Sequence, residues 1–556
     1  MSHDLFARHR EMLEKAVTAT RTREYFSAFD ESPSPRVYGE NAASEGKAAF
    51  EAVRGGAFPL RTPGAGGSVA REKSPFGFAL DVSYPRVSAE GVEELVDAAR
   101  AGMSAFRDAG PDVRVGVCLE ILARLHGRVF ELANAVQHTS GQAFVMAFQA
   151  GGAHALDRAL ESVAYAWTAM HQVPDTAVWE KPGKGEPLRM EKTFTAVPRG
   201  VALVIGCNTF PTWNSWPGLF ASLACGNPVV VKPHPGAVLP LAITVQVAQE
   251  VLSESGFDPN LVTLAAEDPA DGIAAVLAVR PEVKIIDFTG SNAFGDWLEE
   301  HARQATVYAE KAGVNTVVVD STDSFKGLCM NLAFSLSLYT GQMCTAPQNL
   351  YLPADGIATD DGQKSVAEVA AGIEAALGKL LGDDARAVEL LGGVVNDGVL
   401  SRLDSVGSRG KVLVESRAVK HPAFEDAVVR TPTLVGLTAA DTEVYESECF
   451  GPVAYLIETS GTSESIDLFR RTVSEHGAMT AAVYSTSREV IAAMREAALD
   501  AGVALSENLT GQVFVNQSAA FSDFHGTGAN PAANASYTDL AYVASRFRIV
   551  QSRRHL

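Results

Sequence analysis

Short apolar runs alternate with amphipathic stretches along the chain, most clearly between residues 200 and 320. Val201-Ala202-Leu203-Val204-Ile205 is continuously apolar and stops at Gly206. Pro228-Val229-Val230-Val231-Lys232-Pro233 and residues 261–265 and 283–288 have the same character. A strand buried on both faces reads as such a run, because neither face faces water. Residues 215–224 and 242–252, which lie between them, have helical spacing. Strand–helix alternation with short loops predicts an open, parallel, doubly wound sheet.

The pattern differs on either side of this block. Residues 1–75 begin with a helical pattern (Leu5, Phe6, Met12, Leu13, Val17), then break at Ser32-Pro33-Ser34-Pro35 and Gly64-Ala65-Gly66-Gly67. They read as an N-terminal extension wrapping a larger body. Residues 88–172 carry apolar positions at helical spacing and predict three or four helices. Residues 173–200 alternate as strands do. From residue 312 a second α/β unit follows, with strands expected at 316–319, 350–352, 412–414, 433–437 and 454–457. A helix is expected before Cys344. Further strands are expected at 513–516 and 544–550, on either side of a Gly/Ala/Asn-rich loop from His525 to Ser536.

Composition narrows the classes. The chain has 556 residues, too many for one core. Its 47% hydrophobic and 20% charged content is that of a soluble globular protein. A net charge of −20 argues against nucleic acid and anionic membrane as partners. None of the six cysteines forms a C-x-x-C pair, and no Cys/His cluster has zinc spacing. Sparse cysteine use and a charged N-terminus without an apolar core predict a cytoplasmic protein without a signal peptide.

The chemistry concentrates at Gly341-Gln342-Met343-Cys344-Thr345-Ala346-Pro347-Gln348. Gly341 ends a long apolar helical run and leaves Cys344 among small and polar residues. A polar, amide-rich turn can lower a thiol pKa and expose a nucleophile. The bland alternative is a small buried hydrophobe. Upstream, Glu310 in Tyr308-Ala309-Glu310-Lys311-Ala312-Gly313 is a carboxylate between apolar stretches. Glutamate as base and cysteine as nucleophile suggest acyl-transfer or aldehyde chemistry.

Other residues mark a nucleotide site. Gly206 and Phe288-Thr289-Gly290-Ser291-Asn292-Ala293-Phe294-Gly295 each pass from a strand into a helix start, where free N–H groups suit a phosphate. The G-S-x-x-x-G spacing lacks the third glycine of the dinucleotide fingerprint. Lys232 ends a buried strand at the ligand edge of the sheet, or is a solvated loop lysine. Glu448, in Glu448-Cys449-Phe450-Gly451-Pro452-Val453, either holds a ribose hydroxyl or caps a turn.

Together these segments resemble the NAD(P)-dependent aldehyde dehydrogenase superfamily. The matches are Asn208-Thr209-Phe210-Pro211, Val231-Lys232-Pro233, Phe288 to Gly295, Glu310 with Gly313, Gly341-Gln342-x-Cys344 and Glu448 to Val453. The resemblance extends to the PaaN-type enzymes of aerobic phenylacetate degradation. It implies an α/β, aldehyde-dehydrogenase-like fold with two doubly wound open sheets and a small β oligomerisation element. The implied division is an extension at 1–75 and a dinucleotide-binding domain at 76–177 and 201–311. An oligomerisation hairpin and strand follow at 178–200 and 530–556, and a catalytic domain at 312–529. A dimer or tetramer would form through strand edges such as 189–198.

The resemblance also implies roles. Cys344 attacks the aldehyde, Glu310 activates water, and Asn208 supplies an amide to the oxyanion. Gly206, Thr209, Lys232, His234, Gly290, Ser291, Gly295, Glu448 and Phe450 line the cofactor; no metal is implied. Three departures stand out. Thr209 intervenes between Asn208 and Phe-Pro, and Lys311-Ala312 replaces an apolar-Gly pair. Pro235 stands where NAD-preferring members place a glutamate. Without that carboxylate, and with Lys232 and His234 nearby, the expected cofactor is NADP, with NAD as the alternative. The expected reaction is oxidation of a semialdehyde from phenylacetate ring cleavage, free or as a CoA thioester, to the acid. The rivals are a CoA-acylating dehydrogenase and a catalytically silent scaffold.

Overall fold

The computed structural model describes residues 2–311 and 313–556. Two large sheets organise the chain. The first has five strands, all parallel, with Val201–Ile205 central between Val229–Lys232 and Val283–Thr289. Val262–Leu264 and Thr306–Glu310 form its edges. The second has seven strands and includes Thr316–Val319, Asn349–Pro353 and Val453–Thr459. Its pairings are parallel except where Lys411–Val414 meets Thr433–Thr438. These are the two open α/β sheets expected from the apolar runs. Their central strands are buried on both faces, which is why the runs carry no alternation.

The helical region is richer than three or four helices. It holds Val92–Ala101, Met103–Asp108, Pro111–Gly127, Val129–Ser140, Phe144–Phe148 and His154–Met170. Gly102, Gly110 and Gly141 punctuate it, and a one-turn π bulge at Gln149–Ala153 joins the last two. The N-terminal extension opens with the helix Ser2–Thr22, which lies on Pro111–Gly127. Arg8 and His9 both reach Glu120 there, at 3.0 and 2.8 Å. Further along, Glu72 is buried and accepts the N–H groups of Val238 (2.6 Å) and Leu239 (2.9 Å) at the start of Leu239–Glu254. The extension thus closes the N-terminus of a helix beside the five-stranded sheet. No described helix is long and apolar enough to cross a membrane.

Three expectations need correction. Residues 189–198 are not an open edge. The strand Leu188–Pro198 is the middle of a three-stranded antiparallel sheet, with Thr176–Lys181 on one side and Phe547–His555 of the same chain on the other. The final strand therefore begins after 544, because Leu540–Ala544 is a helical turn capped by Asp539. Residues 513–516 form no strand. Asn331 Nδ2 donates to the Val513 carbonyl at 2.7 Å and Thr345 Oγ1 to the Asn516 carbonyl at 2.8 Å, so side chains take acceptors that a ladder would use.

A buried ion pair locks the C-terminal segment to the five-stranded sheet. Arg546 donates to both oxygens of Asp287, at 2.7 and 2.6 Å, and also to Ser222 Oγ at 2.7 Å. The Tyr542 hydroxyl donates to the same carboxylate at 2.7 Å.

Candidate active site

Cys344 owes its place to an abrupt turn. The helix Phe325–Ser337 ends, and Tyr339, Thr340 and Gly341 then take left-handed conformations with φ of 54, 56 and 65°. Such backbone is costly at non-glycine residues and persists only where the surroundings hold it. Here the Tyr339 hydroxyl donates to the Ser140 carbonyl, and Thr340 Oγ1 to the Gly392 carbonyl at 2.8 Å. A Cβ on Gly341 would stand 2.5 Å from the Gly451 carbonyl oxygen, so glycine lets the Cys344 loop lie against the Glu448 loop. Asn315 then fixes the cysteine. Its Nδ2 donates to the Cys344 and Ala346 carbonyls at 2.7 and 2.9 Å, while its Oδ1 accepts from Met479 and Thr480.

Glu310 ends its strand and is buried. The loop at 530–536 grips the Glu310 strand. Lys311 N–H donates to the Ala532 carbonyl at 2.7 Å, and Ala309 N–H to Asn534 Oδ1 at 2.8 Å. Asn214, on the helix Pro211–Ala224, donates to Glu310 Oε2 at 3.1 Å. His525 Nε2 lies 3.2 Å from the same oxygen and 3.8 Å from Cys344 Sγ. Ligating atoms of Cys344, Glu310 and His525 all lie within 4.8 Å of one another.

The thiol is not acidified as the polar turn suggested. Burial and then the Glu310 charge push the Cys344 pKa well up, because both oppose a second anion in the site. Asn208 lies beside the end of the helix Val129–Ser140. Its Nδ2 donates to the Thr139 carbonyl at 3.2 Å and its Oδ1 sits against Gly236. The amide joined to Glu310 is that of Asn214. Thr209 accepts from Gln142 Nε2 through its carbonyl, at 2.7 Å.

The cofactor candidates gather at the carboxyl edge of the five-stranded sheet. Gly206 follows Val201–Ile205 and Lys232 closes Val229–Lys232. Gly290 and an exposed Ser291 lead into the helix Asn292–His301. Lys232 is buried and forms an ion pair with Glu267 Oε1, whose Oε2 accepts the Ile273 N–H at 2.8 Å. Lys232 is therefore neither a solvated lysine nor an uncompensated cation. His234 adds no charge, since its Nδ1 accepts the Gly236 N–H at 3.0 Å. Desolvation and the Lys232 charge hold its pKa low. The basic pair expected for a 2′-phosphate is thus electrically balanced.

Lys311 pairs with Asp296 and Glu299 at 2.8 and 3.0 Å, and its stem fills the space a Cβ on Gly295 would need. Ala312, the other half of that departure, lies outside the described residues. A cavity of about 300 Å³ joins Asn292, Lys311, Val314, Glu448 and Pro531. Glu448 and the start of the Asn292–His301 helix both line it. Burial raises the Glu448 pKa to about 7, opposed by Arg402. Gln348 holds this loop by accepting the Cys449 N–H at 2.7 Å, and Arg402 binds the Phe450 carbonyl at 2.7 Å. The set fits a dinucleotide: strand-end glycines, a helix start, and a buried lysine–carboxylate pair converge on one edge.

Sequence reasoning missed Asn214, Asn315, Glu267 and His525. Asn315 carried a faint signal, a polar residue immediately before an apolar strand. The other three join the site only through long-range packing.

The model of the aldehyde dehydrogenase family matches residues 71–530. 1-Pyrroline-5-carboxylate dehydrogenase 2 of Bacillus subtilis is 25% identical over 450 residues, covering 77% of this chain and 80% of its own. An NAD-dependent aldehyde dehydrogenase from Burkholderia multivorans superposes with a TM-score of 0.97 at 57% identity, covering 100% of both chains. A 1-pyrroline-5-carboxylate dehydrogenase from Thermus with bound NAD gives 0.74 at 20% identity, covering 96% and 99%, and speaks for the fold alone.

Proposed function

Because the chain belongs to the aldehyde dehydrogenase family and is an NAD(P)-dependent enzyme, we propose that it oxidises a semialdehyde to the carboxylic acid through a thioester on Cys344. The observation that carries this reading is the meeting of the Cys344 thiol and the buried Glu310 carboxylate beside the cofactor edge. Cys344 Sγ attacks the aldehyde carbon, and the carbonyl pair moves to oxygen. The Cys344 N–H and a neighbouring side-chain amide stabilise that charge. The sequence expectation for the amide is Asn208; the observed bonds make Asn214 the nearer group to Glu310. The dinucleotide, when bound, accepts the hydride. Glu310 then takes a proton from the water that releases the acid.

Lys232, Glu267, Ser291 and Glu448 would hold the dinucleotide, with Gly206, Thr209, Gly290, Gly295 and Phe450 shaping its bed. We propose that NAD serves at least as well as NADP. Glu267 supplies, from another strand end, the carboxylate that Pro235 lacks, and the Burkholderia relative is NAD-dependent by description. The proposed substrate is a ring-cleavage semialdehyde of phenylacetate catabolism, free or as its CoA thioester. Residues 76–177 and 201–311 would serve the cofactor and 312–529 the acyl chemistry. A homodimer or homotetramer would assemble through the three-stranded sheet, whose edges expose Val178, Ile549 and Val550.

The test is a semialdehyde panel followed at the nicotinamide absorbance, with NAD and NADP side by side and with or without CoA. Acid formation without CoA supports the reading. Turnover only with CoA favours the acylating reaction, and none with any aldehyde overturns both.

A further inference from the structure

A buried histidine at the site takes no part in the reaction above. His525 is 5% exposed and stands between the two reacting groups. We propose that His525 is a third catalytic residue: its Nε2 takes the thiol proton as Cys344 attacks the aldehyde, and returns it when the acyl group leaves. The proposal rests on Cys344 being the nucleophile.

The geometry gives one nitrogen access to both partners, at 3.8 Å from Cys344 Sγ and 3.2 Å from Glu310 Oε2. A proton moved from sulfur to Nε2 therefore arrives facing a carboxylate. The two Glu310 oxygens divide the work. Oε2 is bonded by Asn214 and paired with His525, whereas Oε1 is buried and makes no hydrogen bond with the described residues. Oε1 is thus the oxygen left for water.

The ring is held in place. His525 and Tyr537 exchange backbone hydrogen bonds at 2.8 Å each, and the Trp213 ring meets the imidazole edge-on at 4.5 Å. Arg158 anchors the approaching loop through the Asp523 carbonyl at 2.8 Å and lies over the Trp213 face. The titratable groups around the pair are Glu310 on its strand, Tyr537 stacked at 6.4 Å, Cys207 after its strand and Glu448 on the opposing loop. Burial and the carboxylates Glu310 and Glu448 oppose a Cys344 thiolate that forms with no base beside it.

The step balances. S–H breaks and N–H forms; C–S forms as the carbonyl pair moves to oxygen. When that pair restores C=O, the C–H pair leaves as hydride to the dinucleotide. Water then bonds to the acyl carbon and gives its proton to Glu310. The C–S pair returns to sulfur, which recovers the proton from Nε2, and Glu310 releases its proton to solvent. One water is consumed, and one neutral acid, one hydride and one proton are produced.

The test follows iodoacetamide labelling of Cys344 against pH, with mass spectrometry locating the label and Cys344→Ala as control. We expect His525→Gln to label about tenfold more slowly at pH 7 and its pH midpoint to rise by about one unit or more. The acylation burst of His525→Ala should be partly restored by added imidazole, with the dinucleotide KM little changed. Superimposable pH curves for wild type and a folded His525→Gln would overturn the proposal. If both variants unfold, NMR titration of the histidines in wild type and Cys344→Ser decides: an unchanged His525 titration overturns the link to the thiol. Full activity after complete Cys344 labelling would instead overturn the nucleophile assignment itself.

Discussion

Asn214 donates its side-chain amide to Glu310 Oε2 at 3.1 Å, across 96 residues of chain. The bond orients a buried carboxylate and leaves its other oxygen for water. Glu310→Gln keeps the shape but removes the base. We expect the hydride burst to survive and steady-state turnover to fall about 10²-fold or more, because acylation precedes water activation. Rapid mixing at the nicotinamide absorbance checks this. A wild-type steady-state rate would remove Glu310 from the mechanism.

Cys344→Ala should abolish oxidation while dinucleotide affinity changes less than about twofold, since the thiol makes the only covalent bond to substrate. Calorimetric titration of the dinucleotide beside a turnover assay separates the two effects, and retained oxidation would overturn the proposed covalent role of Cys344.

The Lys232–Glu267 pair predicts how cofactor choice can be moved. Glu267→Gln removes the carboxylate and leaves the lysine charge unbalanced, so the NADP-to-NAD ratio of kcat/KM should rise about tenfold, which corresponds to about 1.4 kcal/mol. Pro235→Glu should move it the other way, mainly by weakening NADP. Two unit charges about 4 Å apart interact by roughly 4 kcal/mol at an effective near-surface dielectric, ample for such a shift. Unchanged ratios in both variants would mean that neither position senses the 2′-substituent.

Desolvation pushes the Glu448 carboxyl up to about 7, opposed by Arg402. Below that pH it is protonated and a weaker acceptor for a ribose hydroxyl; above it the carboxylate forms. The dinucleotide KM should therefore fall as pH rises through about 7. In Glu448→Gln this dependence should vanish while the KM stays high. Initial rates between pH 6 and 8 test it.

Arg546 and Asp287 form a fully buried pair, so removing one partner strands the other charge. Arg546→Met should destabilise the protein by about 3–5 kcal/mol, and Arg546→Met with Asp287→Leu by much less. Urea unfolding of both variants measures the difference.

The five-stranded sheet was legible because its strands are buried on both faces, and burial writes itself into the local sequence as Val201–Ile205 and Val229–Lys232. Cys344 and Glu310 were legible because each sits at an abrupt end of an apolar run. Residues 513–516 misled for a related reason: Phe514 is apolar because it stacks on Phe334, not because it lies in a ladder. What the sequence by itself determined is thus what spacing and burial record within a few residues: two α/β units, and a cysteine and a carboxylate at the ends of apolar runs. The tertiary structure alone decided which strand covers 188–198, that Glu267 neutralises Lys232, and that His525 reaches Cys344 across 181 residues. Such pairings arise when the chain closes long loops, and a polar residue in a Gly/Ala/Asn-rich loop has the same local pattern whether it meets water or a thiol.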